Sequence, residues 1–231
     1  MTEIIPAILP KDYLDLRSSL ARVRFLSPFV QIDICDGNYV PSVTWPYGDP
    51  EKFQSILDGD EGLPFWEDFQ FELDLMVRNP EEVLADWIDA GASRIIIHNK
   101  STAKLDEILT TLENAGIEAG IALGVDEDVS LIRPYAERVL FVQCMGIAHI
   151  GVQGNPFDAR VLTQIKAIRA QFPQLTVSVD GGVNIHTVEK LVEAGAHRLV
   201  SGSAILRAED SKSALEEMRA LANSSSNSPQ A

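Results

Sequence analysis

Residues 79–98, NPEEVLADWIDAGASRIIIH, contain one complete unit of the fold that this sequence predicts. Asn79 can cap a helix, Pro80 suits its first turn, and the apolar side chains at 83, 84, 87 and 88 form one stripe. We therefore predict a helix over Pro80–Ala90. Gly91 follows this helix, where a left-handed residue lets the chain turn back, and the β-branched run after it predicts a strand over Arg94–His98.

The same unit recurs along the chain. Ala-Gly-Ile at 115–117 and Ala-Gly-Ala at 194–196 each lie between a predicted helix and a predicted strand. The eight predicted strands are Ile4–Leu9, Phe29–Cys35, Gln70–Met76, Arg94–His98, Glu118–Leu123, Arg138–Gln143, Thr176–Val179 and Arg198–Ser201. Strands that alternate with helices form a parallel sheet, and eight of them close a barrel of about 250 residues. In a chain of 231 residues we therefore predict an α/β fold with a single (β/α)8 TIM barrel over residues 1–222.

Composition and charge narrow the class of protein. Hydrophobic residues make up 45% of the chain, which is enough for a sizeable core. The Ser/Asn-rich segment 223–231 has no apolar period and is predicted to be a disordered C-terminal tail. The net charge is −15, from 19 basic and 34 acidic residues. Because such a surface repels phosphate backbones and anionic lipids, we expect neither a nucleic-acid nor a membrane partner.

The N-terminal residues and the cysteines bear on the compartment. The first residues, MTEIIP, lack a basic stretch followed by an apolar one, and no window reaches the about 18 apolar residues of a spanning helix, so we expect a cytoplasmic protein. Cys35 and Cys144 are too few for a disulfide framework and lie in segments predicted to be buried. Reduced thiols are expected, with a single bridge as the alternative.

Three aspartates lie at the ends of predicted strands. Residues two apart in a strand share a face, and the sets predicted to point into the barrel are Gln31 and Asp33, then Glu72, Asp74 and Met76, then Ser178 and Asp180. Buried carboxylates that converge repel each other, so they require a cation or a proton retained at a raised pKa. The alternative is that each aspartate only accepts hydrogen bonds from the next loop. Convergence at the face where barrel enzymes carry their catalytic groups favours a functional site.

Glycine-rich loops follow the seventh and eighth strands. Gly181-Gly182 and Gly202-Ser203 expose backbone N–H groups at the two positions where barrels of this type bind phosphate. A tight turn would explain either pair alone, but together they predict a phosphate site. Gly151 and Gly154, in the long loop after the sixth strand, are either a third contributor or part of a flexible lid.

Two further side chains are candidates for substrate contact. His98 ends the fourth strand and could hydrogen-bond a substrate hydroxyl or serve a structural role. Met76 could cover a reacting carbon or simply pack beside the carboxylates. Cys35 and Cys144 are interpreted as small core residues rather than nucleophiles.

The segments that carry a family resemblance span nearly the whole chain in order. They are Pro6–Leu9 with Asp12, Gln31–Pro41, Glu72–Val77 with Pro80-Glu81, Ala90-Gly91-Ala92, Val179–Val183 and Gly202–Ile205. In these segments the chain resembles the ribulose-phosphate 3-epimerase family. The resemblance implies an isomerase that inverts the carbon next to a ketone in a ketopentose 5-phosphate, through a metal-stabilised enediolate. Asp33 and Asp180 match the two acid/base carboxylates.

The resemblance also implies the remaining site residues, with specific departures. Gln31 and Asp74 stand where the family has histidines, so two imidazoles and two carboxylates become one amide and three carboxylates. The implied metal ligands are Gln31, Asp33, Asp74 and Asp180, an all-oxygen set that suits Mg or Mn better than Zn or Fe. The expected substrate and phosphate contacts are Ala7, where the family has serine, and Met76, His98, Gly151, Gly154, Gly181, Gly182, Gly202 and Ser203.

Two other functions remain open from the sequence. One is a phosphosugar aldolase or decarboxylase on the same barrel, although the related Asp-x-Lys-x-x-Asp pattern would need a lysine where Cys35 stands. The other is a non-catalytic barrel that binds a phosphorylated metabolite. The expected partners are a small phosphorylated sugar and, as an option, a second copy of the chain in a homo-oligomer.

Overall fold

Eight parallel strands close into one barrel, as the sequence predicts. The computed structural model describes residues 2–152 and 154–226. Neighbouring strands pair in sequence order, and the last strand pairs with the first. The strands are β1 (Glu3–Ile8), β2 (Phe29–Cys35), β3 (Gln70–Met76), β4 (Ala92–His98), β5 (Glu118–Leu123), β6 (Phe141–Met145), β7 (Thr176–Asp180) and β8 (Arg198–Ser201). The prediction of a single (β/α)8 barrel is confirmed.

Helices form the outer layer and cover the apolar face of the strands. They are α1 (Tyr13–Val23), α2 (Glu51–Leu57), α3 (Leu84–Asp89), α4 (Leu105–Ala115), α5 (Arg160–Gln171), α6 (Val188–Ala194), α7 (Ser203–Leu206) and α8 (Ser211–Ser226), with 3₁₀ turns at Pro80–Glu82 and Val129–Tyr135. Because side chains alternate along a strand, Ile32 and Ile34 of β2 pack in the large core with helix residues such as Leu16. This alternation leaves Gln31 and Asp33 pointing into the barrel. No helix in the described part of the chain is long and apolar enough to cross a membrane.

The helix predicted over Pro80–Ala90 is wrong in its first half. Residues Pro80–Glu82 form a 3₁₀ turn, and α3 begins only at Leu84. Asn79 is left-handed, with φ 52°, and its side chain makes no capping hydrogen bond. Its Nδ2 donates instead to Glu82 Oε1 at 3.2 Å, and Val83, with φ −117°, separates the two helical pieces.

The strand predicted over Arg138–Gln143 is displaced along the chain, because β6 covers Phe141–Met145. Arg138 belongs to the turn before it: its N–H donates to the carbonyl of Tyr135 at 2.9 Å, and its guanidinium binds Glu113 on α4. The shift places Cys144 within the strand. Both cysteines are buried and free.

Helix α8 runs past the predicted end of the barrel domain at 222 and continues to Ser226. The Ser224 and Ser225 hydroxyls donate to the carbonyl of Leu221, at 2.8 and 3.1 Å, so these serines are satisfied within the helix. The predicted disorder of 227–231 lies outside the described residues. The extent of the barrel domain, 1–222, stays a prediction.

A buried ionic group lies inside the barrel near the start of the strands. Glu72 of β3 is fully buried, and its carboxylate binds Arg198 of β8, with the Arg94 guanidinium 3.8 Å away. Burial raises the pKa of Glu72 despite the two arginines, which lower it. Arg94 stacks on Phe29 at 3.7 Å from the ring centroid.

Candidate active site

Three carboxylates meet at the carboxyl ends of β2, β3 and β7. One oxygen each from Asp33, Asp74 and Asp180 lies within 4.8 Å of the others. Asp33 and Asp74 pair in register on adjacent strands, and both are buried, whereas Asp180 is half-buried at the wall of a cavity. The convergence that strand alternation predicts is therefore present.

Gln31 joins two of these carboxylates. Its Nε2 donates to Asp33 Oδ1 at 2.8 Å and to Asp180 Oδ2 at 3.1 Å. Its Oε1 is buried and has no hydrogen-bond partner among the described residues. One amide thus bridges the two predicted acid/base groups, and its own oxygen is left unsatisfied.

Asp74 is held by a different set of side chains. His98 Nε2 lies 2.9 Å from Asp74 Oδ1, and Gln143 Nε2 donates to Asp74 Oδ2 at 3.4 Å. The Ser178 hydroxyl donates in turn to Gln143 Oε1 at 3.2 Å. Sequence reasoning missed Gln143. Its signal in the sequence is a polar residue within an otherwise apolar strand, two residues after Phe141 and therefore on the same face.

The electrostatics of the group favour retained protons. Burial, together with the charges of Asp180 and Asp74, raises the pKa of Asp33 well above its usual range. Burial and the charge of Asp74 raise the pKa of Asp180 to about 7, although Gln31 and the N–H of Gly181 oppose the shift. Without a cation, this group therefore holds protons near neutral pH.

A cavity of about 200 Å³ lies over Asp33 and Asp180. Most of the predicted contact residues line it: Ala7, Met76, Gly151, Gly154, Gly181, Gly182, Gly202 and Ser203. His98 does not line this cavity and contacts Asp74 instead. Residues that sequence reasoning did not select also line it, among them Leu9, Met145, Ile147, Asn155 and Asn184.

The two glycines after β7 line the cavity, and the conformation of their backbone also requires glycine. Gly181 and Gly182 have φ values of 95° and 70°, which other residues rarely adopt. A Cβ on Gly182 would lie 2.9 Å from the Cα of Phe157, in the loop after β6. Gly181 and Gly182 therefore do form the tight turn that was the alternative explanation for this glycine pair. The same turn packs against the loop after β6, which lies over the cavity.

The donor set fits a hard divalent cation. Three converging carboxylates supply oxygen ligands and an excess of negative charge. The unsatisfied Gln31 Oε1 could become a fourth ligand if the amide turned by half a revolution, which would also remove its hydrogen bonds to the two aspartates. Soft or imidazole-preferring metals fit less well, because no sulfur or ring nitrogen belongs to the converging group of described residues.

Fold and site together define a class: a barrel enzyme with converging carboxyl groups and glycine loops at its carboxyl-terminal face. The model of the ribulose-phosphate 3 epimerase family matches residues 3–206, and the chain belongs to this family. The epimerase expected from the sequence, an isomerase acting on a carbohydrate phosphate, is confirmed.

Individual relatives agree with the family match. Ribulose-phosphate 3-epimerase of Schizosaccharomyces pombe is 28% identical over 218 residues, covering 94% of this chain and 92% of the relative. The cytoplasmic isoform of Oryza sativa subsp. japonica is 27% identical over 229 residues, covering 97% and 96%. The solved structure of 3-keto-L-gulonate-6-phosphate decarboxylase from Vibrio cholerae aligns with a TM-score of 0.72 at 11% identity, covering 96% of this chain and 98% of that one. That likeness shows the fold alone.

Proposed function

We propose that the protein epimerises a ketopentose 5-phosphate at the carbon next to the ketone, with Asp33 and Asp180 as the two proton-transfer groups. One observation carries the proposal: both carboxyl groups line the same cavity and are bridged by one amide, that of Gln31. The names of the relatives supply the substrate class.

The chemistry follows from two carboxyl groups on opposite sides of one carbon. One, as the carboxylate, removes the proton from one face, and the other, as the acid, returns a proton to the opposite face. The carbon is inverted without rotation of the intermediate. Such a pair needs one charged and one protonated member, and in the protein without a cation the raised pKa values of Asp33 and Asp180 favour this mixed state. Gln31 holds both carboxyl groups in position.

We propose Mg or Mn as the cofactor, held by Gln31, Asp33, Asp74 and Asp180. When bound, such a cation supplies positive charge that stabilises a developing oxyanion. His98 and Gln143 position Asp74 from behind, so His98 acts through this carboxylate rather than on the substrate.

The phosphate group is proposed to bind the backbone N–H groups of Gly182, Gly202 and Ser203. The backbone N–H of Gly181 donates to the Asp180 carboxyl group and is therefore only partly available to the phosphate. Ala7 and Met76 supply an apolar wall, and Gly151 and Gly154 cover the site. Neither lysine nor arginine is among the described residues that line the cavity. This disfavours both charge-based phosphate binding and the Schiff-base chemistry of an aldolase.

The test is proton exchange with D-ribulose 5-phosphate in deuterated water. Replacing Asp33 or Asp180 by Asn should lower the epimerisation rate on the order of 10² to 10⁴-fold. Each variant should still exchange deuterium into one epimer without forming the other. Asp158→Asn, at a half-buried carboxylate that binds Arg160 and does not line the cavity, is the matched control and should keep the wild-type rate. If both site variants epimerise at that rate, the two-base assignment is wrong.

We also propose the cytoplasm as the compartment, because the rice relative is named as a cytoplasmic isoform. Self-association remains a prediction of the sequence.

A further inference from the structure

A second cavity, of about 490 Å³, lies beside the active-site cavity. It is enclosed by the turn between β1 and α1, by residues 42–44 and by the end of α7. Leu9 and Val152 line both cavities, so these two side chains form the shared wall. Nothing in the proposed reaction uses this second space.

Four side chains with unused hydrogen-bond donors face this cavity. They are Lys11 and Ser19 from the first βα unit, Ser42 from the loop after β2, and Arg207 at the end of α7. None of these side chains makes an ion pair or a hydrogen bond to another described residue. These four donors are therefore free to bind a ligand.

The charge of the cavity wall is opposite in sign to that of the protein. Lys11 and Arg207 contribute two positive charges, and the only acid among the described lining residues is Asp15. The Asp15 carboxylate already accepts the backbone N–H of Lys11 at 3.0 Å. The lining side chains thus carry a net charge of +1 (two cations and one carboxylate), in a chain whose net charge is −15.

We propose that the second cavity binds a phosphate-bearing small molecule, at a site separate from the active site. A phosphate offers several acceptor oxygens to a guanidinium, an ammonium and two hydroxyls, whereas a neutral ligand would leave the two cations unmatched. Leu9, Val152 and Leu206 provide an apolar wall for the carbon skeleton of the ligand. The proposal goes beyond the epimerase function and does not depend on it.

The experiment is a titration of ¹⁵N-labelled protein with inorganic phosphate, which probes the anionic part of the ligand. Backbone amide shifts report each cavity separately, without any measure of activity. We expect two saturable sets of shifts, one at residues 181–203 and one around Lys11, Ser42 and Arg207. The double substitution Lys11→Ala with Arg207→Ala should weaken the second set by at least about tenfold, because it removes two charged hydrogen-bond donors.

Two controls separate this proposal from the proposed function. Lys190→Ala removes an exposed lysine with no ion pair among the described residues and should change neither set. Gly202→Val should weaken only the first set. If the amides around Lys11 and Arg207 do not shift saturably, or if the double variant keeps the wild-type affinity, the second site does not exist. Loss of the first set alone would count against the proposed active-site phosphate contacts and leave the second site standing.

Discussion

Raising the pH should destabilise the metal-free protein, in contrast to the usual behaviour of carboxylates. The pKa of Asp180 is about 7 in the folded protein, against 3.8 in an unfolded chain, because of burial and the charge of Asp74. Between these values the folded state binds one proton more than the unfolded state. Stability is therefore fully present below the unfolded pKa and is lost as the pH rises through the folded pKa.

The size of the effect follows from linkage. Each pH unit over which the folded state holds the extra proton changes the free energy of unfolding by about 1.4 kcal/mol. From pH 5 to the folded pKa, the loss is about 3 kcal/mol. For a domain of this size, that corresponds to a fall in Tm of about 5 to 10 °C. Asp33, whose pKa is also raised, acts in the same direction.

The assay is calorimetric unfolding between pH 5 and pH 8 with a chelator and at constant ionic strength. Asp180→Asn cannot ionise, so its Tm should fall less over this range than the wild-type Tm. Asp158→Asn is the matched control, because Arg160 lowers the pKa of Asp158 and keeps its titration below the range. If wild type and Asp180→Asn show the same slope, Asp180 does not hold a proton in the folded protein and the electrostatic reasoning is refuted.

Three further results are expected. Mg or Mn at about 100 times its Kd should raise the free energy of unfolding by about 2.7 kcal/mol, which a thermal shift assay detects as a higher Tm. Asp74→Asn should abolish this gain. An unchanged Tm of the wild-type protein with either ion would contradict the metal site. Gly202→Val should weaken sugar-phosphate binding in calorimetric titration while circular dichroism stays native, since the φ of Gly202, −94°, lies outside the left-handed region that favours glycine. Unchanged affinity in the folded variant would place the phosphate elsewhere. Glu72→Gln should cost about 3 to 5 kcal/mol in denaturant unfolding, because it removes the buried carboxylate that binds the buried Arg198 guanidinium and leaves Arg198 only its 3.5 Å ion pair with Glu3. Glu118→Gln, at an exposed carboxylate on Arg94, should cost about 1 kcal/mol or less, and equal costs would refute the role of burial.

Strand alternation was sufficient to predict which carboxylates enter the barrel. A period of two assigns Asp33, Asp74 and Asp180 to one interior, and closure of eight strands then brings their ends together. The cavity residues on the loops after β7 and β8 follow from the same topology. Much of the candidate site is thus a consequence of local pattern plus barrel closure.

The contacts between these groups could not be predicted in this way. The position of His98 behind Asp74 depends on strand stagger and on a side-chain rotamer, neither of which local periodicity specifies. The contact between Gln143 and Asp74 is likewise beyond local periodicity, because β6 and β3 are not neighbours in the barrel. The interrupted helix after Asn79 has a related cause, since a left-handed residue replaced the expected cap.

By the family resemblance, Gln31 and Asp74 stand where two imidazoles are expected, and an amide and a third carboxylate at these positions change the charge of the proposed site in a way that suits the proposed chemistry. With a divalent cation, two carboxylates are neutralised, and the third leaves one negative charge in excess among buried groups. The excess favours retention of one proton, which supplies the acid that a two-base epimerase needs alongside its base. Gln31 serves both states, because its amide nitrogen satisfies the two carboxyl groups without a cation and its oxygen is available to a cation. We infer that the altered ligand set preserves proton transfer while shifting the site toward hard, oxygen-preferring ions.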